Sequence, residues 1–258
     1  MFSNQKLIVA GQYIHLYQYD KSIKYGEPNP LTGKNYNPTD SKEDTERLDS
    51  HIYRIRKAVK LLLQCNAESF TKSDGSLFRP IFCTLTFALN ITTLKEANRE
   101  FTKFTQRLNY AIYKRKISNL KYLVVPEFQA RGAVHYHVIY FNLPFTRFIH
   151  KVFTDIWGRG FVWIETIKDT NHLTNYVSKY FTKRTQDSRS QGHKAYFCSK
   201  GLQQPVLYRD RNTISTILNT CDQPTFKMIF RNDFNETIYS LYKSTPLTQS
   251  VIPFLLYA

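Results

Sequence analysis

Residues 134–141 read VHYHVIYF. Their alternation predicts a strand with His135, His137, Ile139 and Phe141 on one face and Val134, Tyr136, Val138 and Tyr140 on the other. Two imidazoles at i and i+2 then point the same way, roughly 6–7 Å apart along the strand, which suits a pair meeting on one metal ion. Two hydrogen-bonded histidines on a half-buried strand would leave the same trace. A carboxylate lies just upstream. If the strand Leu120–Glu127 pairs with the histidine strand across a hairpin loop, Phe128–Ala133, Glu127 comes opposite Val134 or His135 and is placed to be a third ligand. An exposed hairpin glutamate is the plainer reading of the same residue. Two histidines and a carboxylate leave positions for water and substrate. That set suits Mn²⁺ or Mg²⁺ at a phosphate-handling site, and ligand types alone leave Zn²⁺ and Fe²⁺ open.

Downstream, Asn171–Lys183 reads NHLTNYVSKYFTK and predicts a helix. Leu173, Tyr176, Val177 and Tyr180 form one stripe, a pattern that also packs cores. Tyr176 and Tyr180 sit one turn apart with Lys179 between them, so two phenols and an ammonium come together. A phenol with a pKa near ~10 is a weak nucleophile at neutral pH and needs a nearby cation, or a metal on the electrophile.

The elements that must hold these groups follow from periodicity. Asp44–Gln64 predicts an amphipathic helix with Leu48, Ile52, Ile55, Val59 and Leu62 on one face and a basic row, Arg47, Arg54, Arg56, Lys57 and Lys60, on the other. Such a row is a solvated face or a phosphate track. Ile81–Phe87 reads as a strand, Thr93–Lys114 as a helix, then come the two strands of the hairpin. Thr146–Ile156 is a helix, Gly160–Ile167 a strand and Asn171–Lys183 a final helix. The order βαββαβ predicts an α+β, ferredoxin-like antiparallel sheet with helices on one face and the other open for a ligand. Residues 1–43, with Pro28, Pro30, Gly33 and Pro38, read as a loop-rich arm. Beyond Pro205, Thr225–Phe230 and Thr237–Tyr242 suggest further strands. The expected layout is an arm and basic helix over 1–80, a catalytic domain over 81–205 and a C-terminal extension over 206–258 in the same globule.

The 258 residues suffice for a sizeable core, and 42% hydrophobic content is globular. With 36 Lys+Arg against 20 Asp+Glu the net charge is +16, which favours a polyanionic partner, most simply nucleic acid. Eighteen Tyr and nineteen Phe offer stacking surfaces as well as core. Lys183 and Arg184, in the basic stretch Lys179–Lys200, and Arg131 in the hairpin loop are candidate DNA contacts, although a solvated loop reads alike. The four cysteines are widely spaced and fit neither a zinc site nor a disulfide framework. No apolar run nears the ~20 residues of a membrane span. A soluble, cytoplasmic protein without a membrane partner is expected. No GxxxxGK[ST] loop is present, so strand unwinding would fall to a helicase partner.

Phe82–Phe87 (FCTLTF), the HYH of residues 135–137 and Tyr176–Lys179 (YVSK) resemble, in order and spacing, the three motifs of HUH endonucleases, and most closely the replication-initiation (Rep) proteins of bacteriophages and plasmids. A basic helix before the first motif, Glu127, and the segment Gly201-Leu202-Gln203-Gln204-Pro205 add to the likeness, which spans about 44–205. The resemblance implies that His135, His137 and Glu127 hold one divalent ion, Mn²⁺ or Mg²⁺, at the scissile phosphate of single-stranded DNA. It implies that Tyr176 attacks phosphorus, leaving a 5′-phosphotyrosine link and a free 3′-OH, and that Lys179 positions the phosphate. Tyr180 matches the second nucleophile of two-tyrosine members, a residue that several members lack. Thr84 and Thr86 would line the site or contact DNA. The implied partners are single-stranded DNA, an origin duplex, a helicase and a DNA polymerase of the host or element.

A relaxase or transposase shares this chemistry. RNA-recognition modules share the βαββαβ order, but the positions of His135 and His137 should then be Gly, Ala or aromatic. A His-φ-His-φ-His nucleotide hydrolase fails at its third histidine, which is Ile139 here.

Overall fold

The computed structural model describes residues 2–25, 42–144, 149–167, 193–232, 235–245 and 252, with backbone alone for 42–49. The elements in chain order are β1 (Phe2–Ala10), β2 (Tyr13–Lys24), α1 (Lys42–Asn66), β3 (Ile81–Thr86), α2 (Leu94–Tyr113), β4 (Tyr122–Phe128), β5 (Val134–Tyr140), α3 (Ile149–Trp157), β6 (Val162–Thr166), β7 (Phe197–Cys198), β8 (Val206–Tyr208), α4 (Arg211–Leu218), β9 (Phe226–Arg231) and β10 (Glu236–Lys243). The class is α+β with antiparallel sheets. The predicted helix Asn171–Lys183 lies outside the described residues. The chain divides into two compact units, one of residues 42–203 and one of residues 1–41 with 204–258.

In the unit 42–203 the sheet runs β6-β3-β5-β4-β7, every neighbouring pair antiparallel. Alternation sorts each strand into two faces. Ile81, Cys83 and Leu85 of β3 join Val124 of β4 and Val134, Tyr136, Val138 and Tyr140 of β5 on one of them. Onto this face pack Leu94, Ala97, Phe101, Phe104 and Leu108 of α2, at the three- and four-residue spacing that makes one apolar stripe, with Ile149, Phe153 and Trp157 of α3. Phe104 meets Trp157 edge-on, their ring centroids 5.3 Å apart. The helix α2 stops where Lys114 takes a left-handed φ of 54° and returns its N–H to Tyr110.

One core group here is unsatisfied. The Tyr140 hydroxyl is buried without a hydrogen-bond partner, and burial pushes the phenol well above its ordinary pKa. A stranded polar group costs about 1–3 kcal/mol. Tyr140→Phe is therefore expected to raise the thermal midpoint of unfolding by a few degrees, since about 1 kcal/mol shifts it ~2–4 °C at this size. A calorimetric scan showing a lower midpoint would mean that the hydroxyl is bonded.

The opposite face was expected to lie open. Instead α1 covers one end of it: Val59, Leu62 and Leu63 pack on Phe82, Leu123, Val125, Ile139 and Phe141, with Leu202 beside them. Helix α1 is fastened there through buried Asn66. Its amide donates to the Gln203 carbonyl at 2.9 Å, and its side-chain oxygen accepts the Gln203 N–H at 2.9 Å. The Gly-Leu-Gln segment thus ties the helix to the sheet. Half-buried Arg56, Lys57 and Lys60 lie nearer the core than a solvated row would.

The unit 1–41 with 204–258 holds a second sheet, ordered β8-β1-β2-β10-β9. Leu7 and Val9 of β1 and Ile14 and Leu16 of β2 face Ile214 and Ile217 of α4. Asp210 caps α4, its carboxylate accepting the Thr213 N–H at 2.7 Å. The loop-rich arm expected over 1–43 is thus corrected for residues 2–24, which form a hairpin. Its two-residue turn is Gly11-Gln12 between paired Ala10 and Tyr13, with Gly11 at φ 59°. A short Gly-led turn between alternating apolar runs is a hairpin signal that the later prolines mask. The 206–258 region was expected to extend the first globule. Its β8 and β10 instead pair with β1 and β2 in this second unit. Among the described residues no helix is long and apolar enough to cross a membrane.

Candidate functional site

The end of the first sheet that α1 leaves uncovered carries the predicted groups. His135 and His137 share a face of β5, their ring centroids 5.7 Å apart and their planes at 84°. Register does the rest. On one side β3 places Thr84 opposite His137 and Thr86 opposite His135. On the other, β4 places Val125 opposite His137 and Glu127 opposite His135, as the hairpin pairing requires.

The Glu127 side chain reaches diagonally, and its Oε2 lies 2.7 Å from Nε2 of His137. Both groups are largely withdrawn from water, with side-chain exposures of 12% and 5%. An ionised carboxylate only accepts, so the His137 proton sits on Nε2, and Nδ1 accepts from the Thr84 hydroxyl at 3.2 Å. Phe82 stacks on the same imidazole at 5.8 Å and 14°. His137 is thus held on three sides, and breaking such a buried pair by removing one partner costs about 3–5 kcal/mol.

His135 is oriented by a different set. Its Nε2 lies 2.6 Å from the Thr86 hydroxyl and 3.1 Å from the Gln129 side-chain nitrogen. Arg131 fixes which end of that amide faces the ring. A guanidinium can only donate, so Gln129 Oε1 takes the Arg131 Nε–H at 3.0 Å and the NH₂ end turns to His135. The His135 Nε2 therefore presents a lone pair. Arg131 is itself braced by the carbonyls of Phe87 and Ala88 just beyond β3. Gln129 is the site residue that sequence reasoning missed; it shares the strand alternation with Glu127, two positions on, which was the available signal. Arg131, taken from sequence as a DNA contact, spends its guanidinium on this brace.

Two imidazoles and a carboxylate side by side are donors of the right types for a divalent ion. Glu127 and His137 touch, and His135 shows a lone pair on the same face. Among the described residues no three His, Cys, Asp or Glu side chains converge as a metal cage does. The donor set thus fits such an ion in kind, with His135 needing to exchange its bonds to Thr86 and Gln129. Tyr176, Lys179, Tyr180, Lys183 and Arg184 lie outside the described residues.

The Thr86 end of β3 is held from behind. Its carbonyl accepts the buried Trp157 indole N–H at 2.9 Å, and its N–H donates to Phe161 at 2.9 Å. Gly160 passes so close, at φ 151°, that a Cβ would collide with the Thr86 carbonyl oxygen and the Ala88 nitrogen. Gly160→Ala should displace Thr86, and with it the donor to His135. A loss of at least about 2 kcal/mol of stability is expected, because backbone cannot yield as a flexible side chain does. Chemical denaturation checks it; wild-type stability would show that the segment relaxes freely. Beside it, Arg159 pairs with buried Glu100 at 3.0 Å. Lys103 foremost, then Arg159, holds that carboxyl below its ordinary pKa. The stability so gained is complete above the usual carboxylate range and is lost as pH falls through it and below.

The motif resemblance is tested by comparison with known proteins. No curated protein and no solved structure matches the chain. A family model does match, that of the Replication-associated protein ORF2 family, over residues 80–185, less than half of the chain. That stretch begins at β3 and takes in Thr84, Thr86, Glu127, Gln129, His135 and His137, with Tyr176, Lys179 and Tyr180. The chain thus carries, over residues 80–185, a replication-associated domain of the Rep type.

Proposed function

We propose that this protein starts rolling-circle replication by nicking and rejoining single-stranded DNA at an origin. The observation that carries the reading is the register of three neighbouring strands, which sets Glu127, His137 and His135 on one sheet face inside the segment matched by the replication-associated family. The strand order β6-β3-β5-β4, with α2 and α3 as its crossovers on one side, supports a ferredoxin-like core of the HUH kind.

His135, His137 and Glu127 would hold a divalent ion, Mn²⁺ or Mg²⁺, which when bound supplies Lewis-acid polarisation of the scissile phosphate. The chain's own residues do the rest. Thr84 and Thr86 orient the two imidazoles, and Gln129 with Arg131 keeps the His135 lone pair forward. The Tyr176 phenol oxygen forms a bond to phosphorus as the bond from phosphorus to the 3′ oxygen breaks. The phenol gives up its proton and the leaving oxygen ends as a 3′-OH. One phosphodiester is exchanged for another, so rejoining needs no nucleoside triphosphate. Lys179 neutralises the phosphate, and Tyr180 offers a second phenol for termination. Lys183 and Arg184 add backbone contacts. Unwinding falls to a helicase and synthesis to a polymerase of the host or element, in the cytoplasm of a bacterial cell.

The test is a denaturing gel of protein incubated with labelled single-stranded DNA of its own replicon, with Mn²⁺ or with EDTA. A shifted covalent band in Mn²⁺ alone is the expected result. Tight binding with no cleavage on any origin strand would make the protein a binding module.

A further inference from the structure

We infer that the second sheet carries a separate binding face for single-stranded DNA, on the side turned away from α4. Strand pairing aligns one row across it: Lys6 of β1, Tyr17 of β2, Tyr239 of β10 and Met228 of β9 are successive partners. Period-2 alternation puts Tyr19, Phe226 and Phe230 on this same side. The core residues Leu7, Val9, Ile14 and Leu16 take the other side, against α4.

The rings form a continuous path. Phe226 and Tyr239 have centroids 6.2 Å apart, Tyr239 and Tyr17 lie 5.0 Å apart, and the Lys6 ammonium sits 4.8 Å over the Tyr17 ring. At the β9 end the path is open to solvent: Phe226, Met228 and Phe230 are each nearly half exposed. Exposed aromatic and thioether groups in a row on a sheet are costly to leave in water unless something flat covers them. Bases are flat, and each one stacked on an aromatic ring strengthens binding whatever its sequence. Lys6, the exposed Lys227 and Arg231 of β9, and a net charge of +16 supply the attraction for phosphates. The same charge opposes the main rival occupant, a second copy pairing along the β9 edge, because two such chains repel.

The ligand class rests on the nicking reading, while the site belongs to a different unit. Its role would be to hold the displaced or incoming strand while residues 80–185 act on the scissile phosphate.

The test uses the full chain and an unstructured oligothymidine. Binding is followed by fluorescence anisotropy, and cross-linking through iodouracil maps the contacted peptides. Met228→Ser with Phe230→Ser should weaken binding by about tenfold or more, while Phe230→Trp should keep it. Cross-links on the wild type should fall within residues 226–243. Unchanged affinity in the double variant, with cross-links confined to residues 80–185, would overturn the proposal and leave nicking untouched. Lost affinity in the variant, together with a wild type that never cleaves, would keep the face and sink the nicking reading. A variant that turns from dimer to monomer in sedimentation at unchanged DNA affinity would assign β9 to self-association and overturn the proposal as well.

Discussion

Strand cleavage by a His137→Ala chain is expected to fall by about a thousandfold or more in single-turnover assays. The argument starts from the pair it breaks. His137 Nε2 and Glu127 Oε2 stand 2.7 Å apart on a sheet face almost closed to water, where a cation meets little competition from solvent. A bound cation at a transferring phosphoryl group stabilises its transition state by several kcal/mol, and each ~1.4 kcal/mol is a factor of ten. Removing His137 also strands a carboxylate, so the variant is expected to lose stability, and Glu127→Gln serves as its companion. The amide keeps a hydrogen bond to the imidazole and removes only the charge. Calorimetric titration should then show Mn²⁺ affinity reduced by about 10–100-fold at an almost unchanged melting temperature. A folded Glu127→Gln chain with wild-type Mn²⁺ affinity and cleavage would remove this pair from the reaction.

Tyr176→Phe is expected to abolish the covalent protein–DNA band outright, with DNA affinity kept. The substitution deletes one oxygen, the only atom that the proposed link uses. Phe keeps the ring, so packing of the predicted stripe of Leu173, Tyr176, Val177 and Tyr180 should survive. Tyr180→Phe should leave the first cleavage intact and slow only the second transfer, seen as a protein that nicks once and fails to release a closed circle. The reverse pattern, a band that persists in Tyr176→Phe and vanishes in Tyr180→Phe, would exchange the two roles. A band that survives both substitutions would rule out a tyrosine nucleophile.

Much of the first sheet was legible because its information is local. The period-2 runs at Ile81–Thr86, Tyr122–Phe128 and Val134–Tyr140 are separated by a clear helical stripe and a short loop, so order and faces follow. Spacing along β5 was enough to put His135 beside His137, and the short loop limited Glu127 to one of two partners. The brace from Arg131 through Gln129 to His135 was not legible. It depends on which end of an amide faces a guanidinium, a matter of side-chain placement rather than pattern. Nor was the cover that α1 lays over the second face, since an amphipathic helix names the stripe it will bury and not the surface it finds. The second sheet failed for another reason. Its pairing of β2 with β10 joins Tyr17 to Tyr239 across most of the chain, and no local signal records a partner so distant.

That same pairing has a consequence for synthesis. The unit 42–203 is inserted between β2 and β8, so all of its residues have emerged from the ribosome while β1 and β2 still lack β8, β9 and β10. At ~5–20 residues per second the 204–245 stretch takes seconds to follow, far longer than a small sheet needs to collapse. The replication-associated domain is thus free to fold on the nascent chain ahead of the unit that flanks it. The early hairpin waits with both edges unpaired, and a truncated product ending near residue 203 would display those edges permanently.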